Sequence, residues 1–148
     1  MTTADQPDTG PDTPTLPDVL RRAVRAAGDK KATDLVALDL RPVDAFTDWF
    51  LICSGQTQRH VRAIADGVEE SLRAIGVKPA HIEGDDRADW ILLDYFEFIV
   101  HVFQPATRAF YGLERLWGSA TKVDVAPLLA PDRPAPRPDP PPPAAGDR

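Results

Sequence analysis

One short segment of the chain has the residue types of an anion-binding turn. Ser54 and Gly55 follow an apolar run, and Thr57 stands where the N-cap of a helix is expected. Free backbone amides at such a turn can hold a phosphate group. The same residue types are also the ordinary means of ending a strand and capping a helix. We favour the capping interpretation.

An enzyme that transfers nucleotides would need this turn together with two or three carboxylates holding two metal ions. The closely spaced acids Glu83 and Asp85 flank Gly84 inside the polar segment 83–89 rather than lying on a strand. Such loop acids are typically solvated. No catalytic residue and no cofactor is therefore predicted, and a nucleotide-binding enzyme of the nucleotidyltransferase type stays the less favoured alternative.

The histidines and the cysteine give no support for metal or thiol chemistry. His60, His81 and His101 are spread along the chain, without an HxxxH or CxxC spacing, so no metal site is predicted. We expect structural roles for all three, with Asp94 able to orient His101 inside a sheet. Cys53, the single cysteine, follows two apolar residues and is expected to be a buried small hydrophobe.

Residues 90–103 predict a β-hairpin whose two faces differ. A turn at Phe96 and Glu97 opposes Asp94 to Ile99 and Leu92 to His101. One face is continuously apolar and must be buried; it carries Ile91, Leu93, Tyr95, Phe98, Val100 and Val102. The other mixes an acid and an imidazole with large apolar groups; it carries Trp90, Leu92, Asp94, Ile99, His101 and Phe103. A mixed face of this kind indicates a docking surface.

Trp90 is the most informative side chain of that face. The polar run 85–89 precedes it, and it shares its face with Asp94 and His101. Aromatic anchors rimmed by acids are typical of protein interfaces, and a partner rich in Lys and Arg would suit them. A place in the core explains a tryptophan equally well, so both interpretations stay open.

Charge and composition narrow the classes of partner. Residues 17–130 hold fourteen Lys and Arg against seventeen Asp and Glu, and the whole chain has a net charge of −6. Direct binding to a phosphate backbone needs a basic stripe, so sequence-specific nucleic-acid binding is not expected. A lone cysteine fits a reducing compartment, and no apolar run approaches the length of a membrane span. We expect a soluble, cytoplasmic protein.

The prolines divide the chain into three parts. Of 16 prolines, twelve lie in residues 1–17 and 131–148. Segments of this composition bury too little apolar surface to become ordered. We expect a disordered Pro-rich segment over residues 1–16, one folded domain over 17–126, and a disordered Pro-rich tail over 127–148.

Apolar periodicity predicts the elements of the folded part. Helices are predicted over 17–27, over 57–75 with Thr57 as N-cap and Gly76 as stop, and over 105–117. The last is expected to turn Phe110, Leu113, Leu116 and Trp117 inward. Strands are predicted over 34–40, 48–55 and 80–82, besides the hairpin. The order αββαβββα indicates an α/β fold with helices packed on a mixed β-sheet.

Several motifs together resemble the ribosomal silencing factor family, also called the Iojap family. The matching blocks occur in the right order over about residues 18–125 and are specific in combination. They are the Asp39 strand, Thr47-Asp48-x-Phe50-x-Ile52-Cys53-x-Gly55, Arg59-His60-Val61, Glu83-Gly84, Trp90-Ile91-Leu92-Leu93-Asp94, Val100-His101-Val102-Phe103 and Arg108-x-Phe110-Tyr111-x-Leu113-Glu114-x-Leu116-Trp117. One departure is Phe96-Glu97, where the family usually has Gly-Asp, so a different turn geometry is expected.

The resemblance implies a nucleotidyltransferase-like fold without the catalytic carboxylates, and no enzyme activity. It implies a translational repressor that binds the large ribosomal subunit through its basic ribosomal protein number fourteen and blocks association with the small subunit when nutrients are short. A role in large-subunit assembly is the alternative, and a homodimer is a further implication. We predict partner-binding roles for Trp90, Leu92, Asp94 and His101, joined by Glu97, Tyr111 and Glu114.

Overall fold

The computed structural model describes residues 16–43, 45–84 and 86–129, in which helices pack on a six-stranded mixed sheet. Two helices are long, α1 (Asp18–Asp29) and α2 (Gln58–Arg73). The other elements are β1 (Thr33–Asp39), a 3₁₀ turn (Arg41–Val43), β2 (Trp49–Ser54), β3 (His81–Glu83), β4 (Trp90–Asp94), β5 (Phe98–Phe103), α3 (Pro105–Tyr111), α4 (Leu113–Leu116), β6 (Thr121–Val123) and α5 (Ala126–Leu129).

The two long helices begin as their sequences predict. Pro17 precedes the first residue of α1, and the Thr57 hydroxyl caps α2 by accepting a hydrogen bond from the His60 amide at 3.0 Å. This bond satisfies one of the amides that the first turn of a helix leaves without a partner. α1 continues to Asp29, two residues beyond its predicted end.

The sheet has the strand order β3-β4-β5-β2-β1-β6. β2 and β5 are parallel neighbours, and the other neighbouring pairs are antiparallel. α2 lies in the chain between β2 and the strands that lead to β5, as a parallel crossover requires. The mixed α/β fold predicted from the sequence is therefore confirmed.

The two faces of the sheet bury separate apolar clusters. α1 and α2 cover the face that carries Leu51, Cys53 and the six apolar hairpin residues predicted to be buried, from Ile91 to Val102. α3 and α4 lie over part of the opposite face, which holds Phe50, Ile52, Ile99 and Phe103. Because α3 and α4 are short, this second face is less completely covered than the first.

The predicted C-terminal helix is broken. Gly112 adopts the left-handed conformation, with φ 57° and ψ 45°, so α3 ends before it and α4 begins after it. Phe110, in α3 before this residue, is 79% exposed, and Leu116, in α4 after it, is 71% exposed. The prediction that both face the core was wrong, whereas Leu113 and Trp117 pack against the sheet as predicted.

The hairpin has the predicted register. Leu92 opposes His101, and Asp94 opposes Ile99. Phe96 in the turn has a φ of 71°, a left-handed conformation that costs a non-glycine residue roughly 1–3 kcal/mol. The turn therefore keeps a glycine-like backbone although its residue is phenylalanine.

The C-terminal part of the domain contains two elements that the sequence patterns did not predict. β6 pairs with β1, and α5 packs against α1. Both are only three or four residues long, too short to show a periodic pattern. α5 extends past the expected boundary at residue 126, whereas the segments 1–15 and 130–148, for which disorder was expected, lie outside the described residues.

A candidate docking face on the sheet

The β4–β5 hairpin places four of the predicted site residues, Trp90, Leu92, Asp94 and His101, on the partly covered face of the sheet. Trp90 opposes Phe103, and Leu92 opposes His101. Tyr111, at the end of α3, lies against Trp90. We call the surface formed by Trp90, Leu92, His101, Phe103 and Tyr111 the docking face.

Trp90 and His101 are joined directly. The indole Nε1–H donates a hydrogen bond to His101 Nδ1 at 3.1 Å. Asp94 does not orient His101 as expected, because its carboxylate accepts a hydrogen bond from the Phe96 amide at 2.8 Å instead. The partner of the imidazole is therefore an indole, and the acid serves the hairpin turn.

His101 is a neutral, buried group. It is 3% exposed, and burial lowers the pKa of its imidazole to about 3. Since Nδ1 accepts a hydrogen bond, the ring proton lies on Nε2, which has no hydrogen-bond partner among the described residues. His101 thus supports Trp90 from beneath and leaves little of its own surface for a partner.

Neighbouring aromatic rings also pack against Trp90 and His101. Trp90 stacks on Phe103, with the ring centroids 4.8 Å apart, and Tyr111 lies at the same distance from Trp90. Phe50 meets His101 edge to face at 4.5 Å. Trp90 is half-buried and Tyr111 is 49% exposed. Trp90 therefore contributes both to the core and to the surface, the two roles left open by the sequence.

A cavity of about 330 Å³ adjoins the docking face. Trp90, Leu92 and Tyr111 form its apolar wall, and the carboxylates of Glu83 and Asp89 lie at its margin together with Arg87 and other polar residues. An aromatic wall beside carboxylates suits a cationic side chain, which gains from both the ring faces and the opposite charge.

Leu92, Asp94 and Glu97 follow one another along the hairpin away from Trp90. Leu92 is half-buried and packs against the second apolar cluster. Asp94 lies about 13 Å along the strand from Trp90, at about 3.3 Å per residue. Glu97 is exposed in the turn, and its carbonyl accepts a hydrogen bond from the Asp48 amide. These residues extend from the docking face to the hairpin end rather than clustering at one point.

Glu114 has an internal role. Its two carboxylate oxygens accept hydrogen bonds from Arg108 at 3.1 and 2.8 Å, and Arg108 also donates to the Ser54 hydroxyl at 2.9 Å. The Arg108 hydrogen bonds lower the pKa of the Glu114 carboxyl. This carboxylate is thus engaged in bracing α3 and α4 against β2, away from the other predicted site residues.

The Ser54–Gly55 turn uses its amides internally. The Gly55 amide donates to the Phe103 carbonyl at 2.8 Å, and the Gln56 amide donates to His60 Nδ1 at 2.9 Å. The other ring nitrogen of His60 lies 2.8 Å from the Lys30 carbonyl oxygen. These contacts agree with the capping interpretation and with a structural His60.

Three further observations concern other kinds of site. Burial raises the pKa of the Cys53 thiol to about 12. Across residues 16–43, 45–84 and 86–129, no group of three or more His, Cys, Asp or Glu side chains has a metal-binding arrangement. None of the helices in that part of the chain combines the length and apolarity needed to cross a bilayer.

The sequence patterns gave no binding role to two aromatic side chains that are exposed in the structure. Phe46 and Phe96 are each 73% exposed. Phe46 contacts Phe50 and Trp117 edge to face, with centroids 6.2 and 6.4 Å apart. The signal for Phe96 was present in the sequence, since a bulky residue stands in a hairpin turn that favours glycine.

Comparison with known proteins gives consistent matches. Residues 13–145 match the model of a family described as ribosomal silencing factor during starvation. The ribosomal silencing factor RsfS of Halalkalibacterium halodurans is 37% identical over 113 residues, which cover 76% of this chain and 97% of the relative. A mouse protein named mitochondrial assembly of ribosomal large subunit protein 1 is 31% identical over 91 residues, 60% of this chain and 40% of the relative.

A solved structure shares the fold. The crystal structure of a protein from Chromobacterium violaceum superposes with a TM-score of 0.66 at 32% sequence identity, covering 68% of this chain and 84% of that one. The family model spans most of the chain. The chain therefore belongs to the ribosomal silencing factor family.

Proposed function

We propose that this protein represses translation by binding the large ribosomal subunit and sterically blocking its association with the small subunit. The contact is made with the basic ribosomal protein number fourteen, and the repression acts in the cytoplasm when nutrients are limiting. Family membership supports a ribosome-associated role. The partner and the blocking mechanism are the parts that the experiments below test.

The docking face is the observation on which the proposal rests. Trp90 is held by a hydrogen bond to His101 and by stacking on Phe103, yet remains partly exposed beside carboxylates. A rigid aromatic side chain with an acidic margin suits a partner that presents Lys and Arg. An interface of standard size, about 1,600 Å², is sufficient for stable binding and for covering a joining surface.

The proposed mechanism involves no catalysis and no cofactor. We regard the fold as a nucleotidyltransferase-like one that lacks the catalytic carboxylates. The internal use of the Gly55 and Gln56 amides supports this view, because a phosphate at the turn would compete with those hydrogen bonds. Magnesium and nucleoside triphosphates should therefore give neither saturable binding nor turnover with the pure chain.

The test is a subunit-joining assay with purified large and small subunits. The wild-type chain should cosediment with large subunits and reduce the yield of joined ribosomes as its concentration rises. A variant with Leu92→Ala and Tyr111→Ala removes a half-buried and an exposed side chain of the docking face. It should bind large subunits at least about tenfold more weakly and lose the effect on joining.

A matched control is available on the opposite side of the sheet. Ile75→Ala with Val77→Ala also shortens one exposed and one half-buried apolar side chain, and Ile75 is 46% exposed against 49% for Tyr111. The control should bind and repress as the wild type does. Full repression by a folded docking-face variant, or no binding by the wild type, would refute the proposal.

Large-subunit assembly is a second candidate, favoured by the name of the mouse relative. An assembly factor should associate with precursor subunits, and its deletion should make those particles accumulate. Repression instead predicts normal mature subunits and excessive joining during starvation. Sedimentation profiles of a deletion strain in rich and in poor medium separate the two roles, and sedimentation of the pure chain measures whether it forms the expected homodimer.

A further inference from the structure

The hairpin tip, residues Tyr95, Phe96 and Glu97, has a backbone that is held from several sides. The Phe96 amide donates to the Asp94 carboxylate at 2.8 Å, and the Thr47 hydroxyl donates to the Phe96 carbonyl at 2.7 Å. The Glu97 amide donates to the Tyr95 carbonyl at 2.8 Å. These bonds keep Phe96 at a φ of 71°.

The phenyl ring of Phe96 contributes little to this arrangement. It is 73% exposed, and the hydrogen bonds from the Phe96 amide to Asp94 and from Thr47 to the Phe96 carbonyl use the backbone of this residue. A glycine would take the same backbone conformation without the steric cost that a β-carbon brings at positive φ. The fold therefore gives no reason for an aromatic side chain here, although it maintains the strained conformation.

The tip is connected to the docking face by a series of contacts. The bond from Thr47 ties it to the segment that carries Phe46, which is also 73% exposed. Phe46 contacts Phe50, and Phe50 in turn contacts His101 beneath Trp90. Phe46, next to the tip, is thus connected to Trp90 through the buried rings of Phe50 and His101, and the exposed Glu97 adds a carboxylate at the tip.

We infer that Phe96 is a binding side chain that inserts into an apolar recess on the same basic ribosomal protein that the docking face contacts. This inference rests on the proposed function and adds a second anchor to it at the hairpin tip. Strained residues that the surrounding structure holds in place concentrate at binding sites, and buried aromatic anchors carry much of the energy of protein interfaces. The connection of the tip to Trp90 through Phe46 and Phe50, together with the acidic neighbour Glu97, favours one protein partner spanning both.

The test measures stability and binding of the full chain with Phe96→Gly. Because glycine relieves the backbone strain, the melting temperature should stay the same or rise. Because the ring is lost, the dissociation constants for large subunits and for the isolated ribosomal protein should both increase, by about tenfold to thirtyfold. Phe96→Tyr, which keeps both the ring and the strain, should bind as the wild type does.

The other outcomes each decide the matter. A lower melting temperature for Phe96→Gly overturns the inference, since the fold would then need the ring. Binding of Phe96→Gly that equals that of the wild type overturns it as well. In that case the binding of the wild type to large subunits still supports the proposed function. Weaker binding to intact subunits but not to the isolated protein assigns Phe96 to RNA, and a loss confined to self-association assigns it to a second copy; both overturn it. If the wild type binds no large subunit, the proposed function itself fails.

Discussion

At the scale of single residues, the docking face depends on a histidine that is kept neutral. His101 accepts the indole hydrogen bond of Trp90 through Nδ1, and it can do so only while that nitrogen carries no proton. Phe50 and Phe103 contact its ring and exclude water. Protonation would place a charge in an apolar cluster and remove the acceptor that orients Trp90.

The free energy of unfolding should depend on pH because of His101. Its pKa is about 3 in the folded chain against an ordinary value of 6.5, so the unfolded chain binds a proton first as the pH falls. The stability that His101 contributes is complete above pH 6.5 and declines below it, by up to about 1.4 kcal/mol per pH unit until the folded-state pKa is reached. Urea unfolding at several pH values between 7 and 4 measures the decline.

The His101→Gln variant should show a flatter pH dependence than the wild type, because glutamine takes up no proton in this range. Phe103→Leu is the control, since it removes packing in the same cluster without removing a titratable group. It should lower stability by a similar amount at every pH. Equal slopes for wild type and His101→Gln would contradict the assignment of His101 as a buried neutral group.

At the scale of elements, the partly covered face depends on how α3 and α4 are fastened to the sheet. The left-handed Gly112 separates the two helices. Arg108, in α3, donates hydrogen bonds both to Glu114 in α4 and to Ser54 in β2, and so joins the two helices to the sheet. The side chains of Arg108 and Glu114 are 13% and 29% exposed. This brace sets the position of Tyr111, and with it one wall of the cavity beside Trp90.

A double-mutant cycle measures the interaction energy between Arg108 and Glu114. Arg108→Met and Glu114→Gln should each destabilise the fold, and the double variant should be more stable than the two separate losses predict. The coupling energy should be at least about 1 kcal/mol, because the arginine–carboxylate pair is bidentate and largely shielded from water. Urea unfolding of the four proteins gives this energy.

The pair Glu69 and Arg73 on α2 is the control for that cycle. Its residues are one helical turn apart, and their side chains are 21% and 55% exposed. Solvent screening should limit its coupling to under about 0.5 kcal/mol. A coupling energy for Arg108 and Glu114 no greater than that of the control would show that the brace does not position α3.

Some features of these elements could be predicted from the sequence, and others could not. The hairpin register and the Thr57 cap followed from local patterns, because alternation and capping are encoded within a few residues. The Trp90–His101 hydrogen bond was missed because an indole donor across a strand pair is not a recognised pairing, whereas a carboxylate next to a histidine is. The exposure of Leu116 was missed because the left-handed Gly112 changes the direction of the chain that follows it, which a single helix over 105–117 does not include.

At the scale of the whole molecule, the two sides of the sheet differ in charge. The chain is acidic, with a net charge of −6. Four cationic side chains, among them Arg22 and Arg25, nevertheless line the groove between α1 and α2, against three acidic ones. The cavity beside Trp90 has the reverse excess, with Glu83 and Asp89 against Arg87. A basic protein approaching in solution should therefore be steered toward the docking face rather than toward the helices.

Charge reversal on either side tests this steering. Glu83→Lys with Asp89→Lys reverses the charge of the acidic margin of the docking face, and Asp66→Lys with Glu70→Lys makes the same net change on α2. Stopped-flow association with the isolated ribosomal protein number fourteen at low salt should slow by about threefold to tenfold for the first variant, with little change in dissociation. The α2 variant should associate nearly as fast as the wild type. If both variants associate equally slowly, the association rate depends only on the net charge of the chain. Steering by a local field requires that the rate depend on where the carboxylates lie.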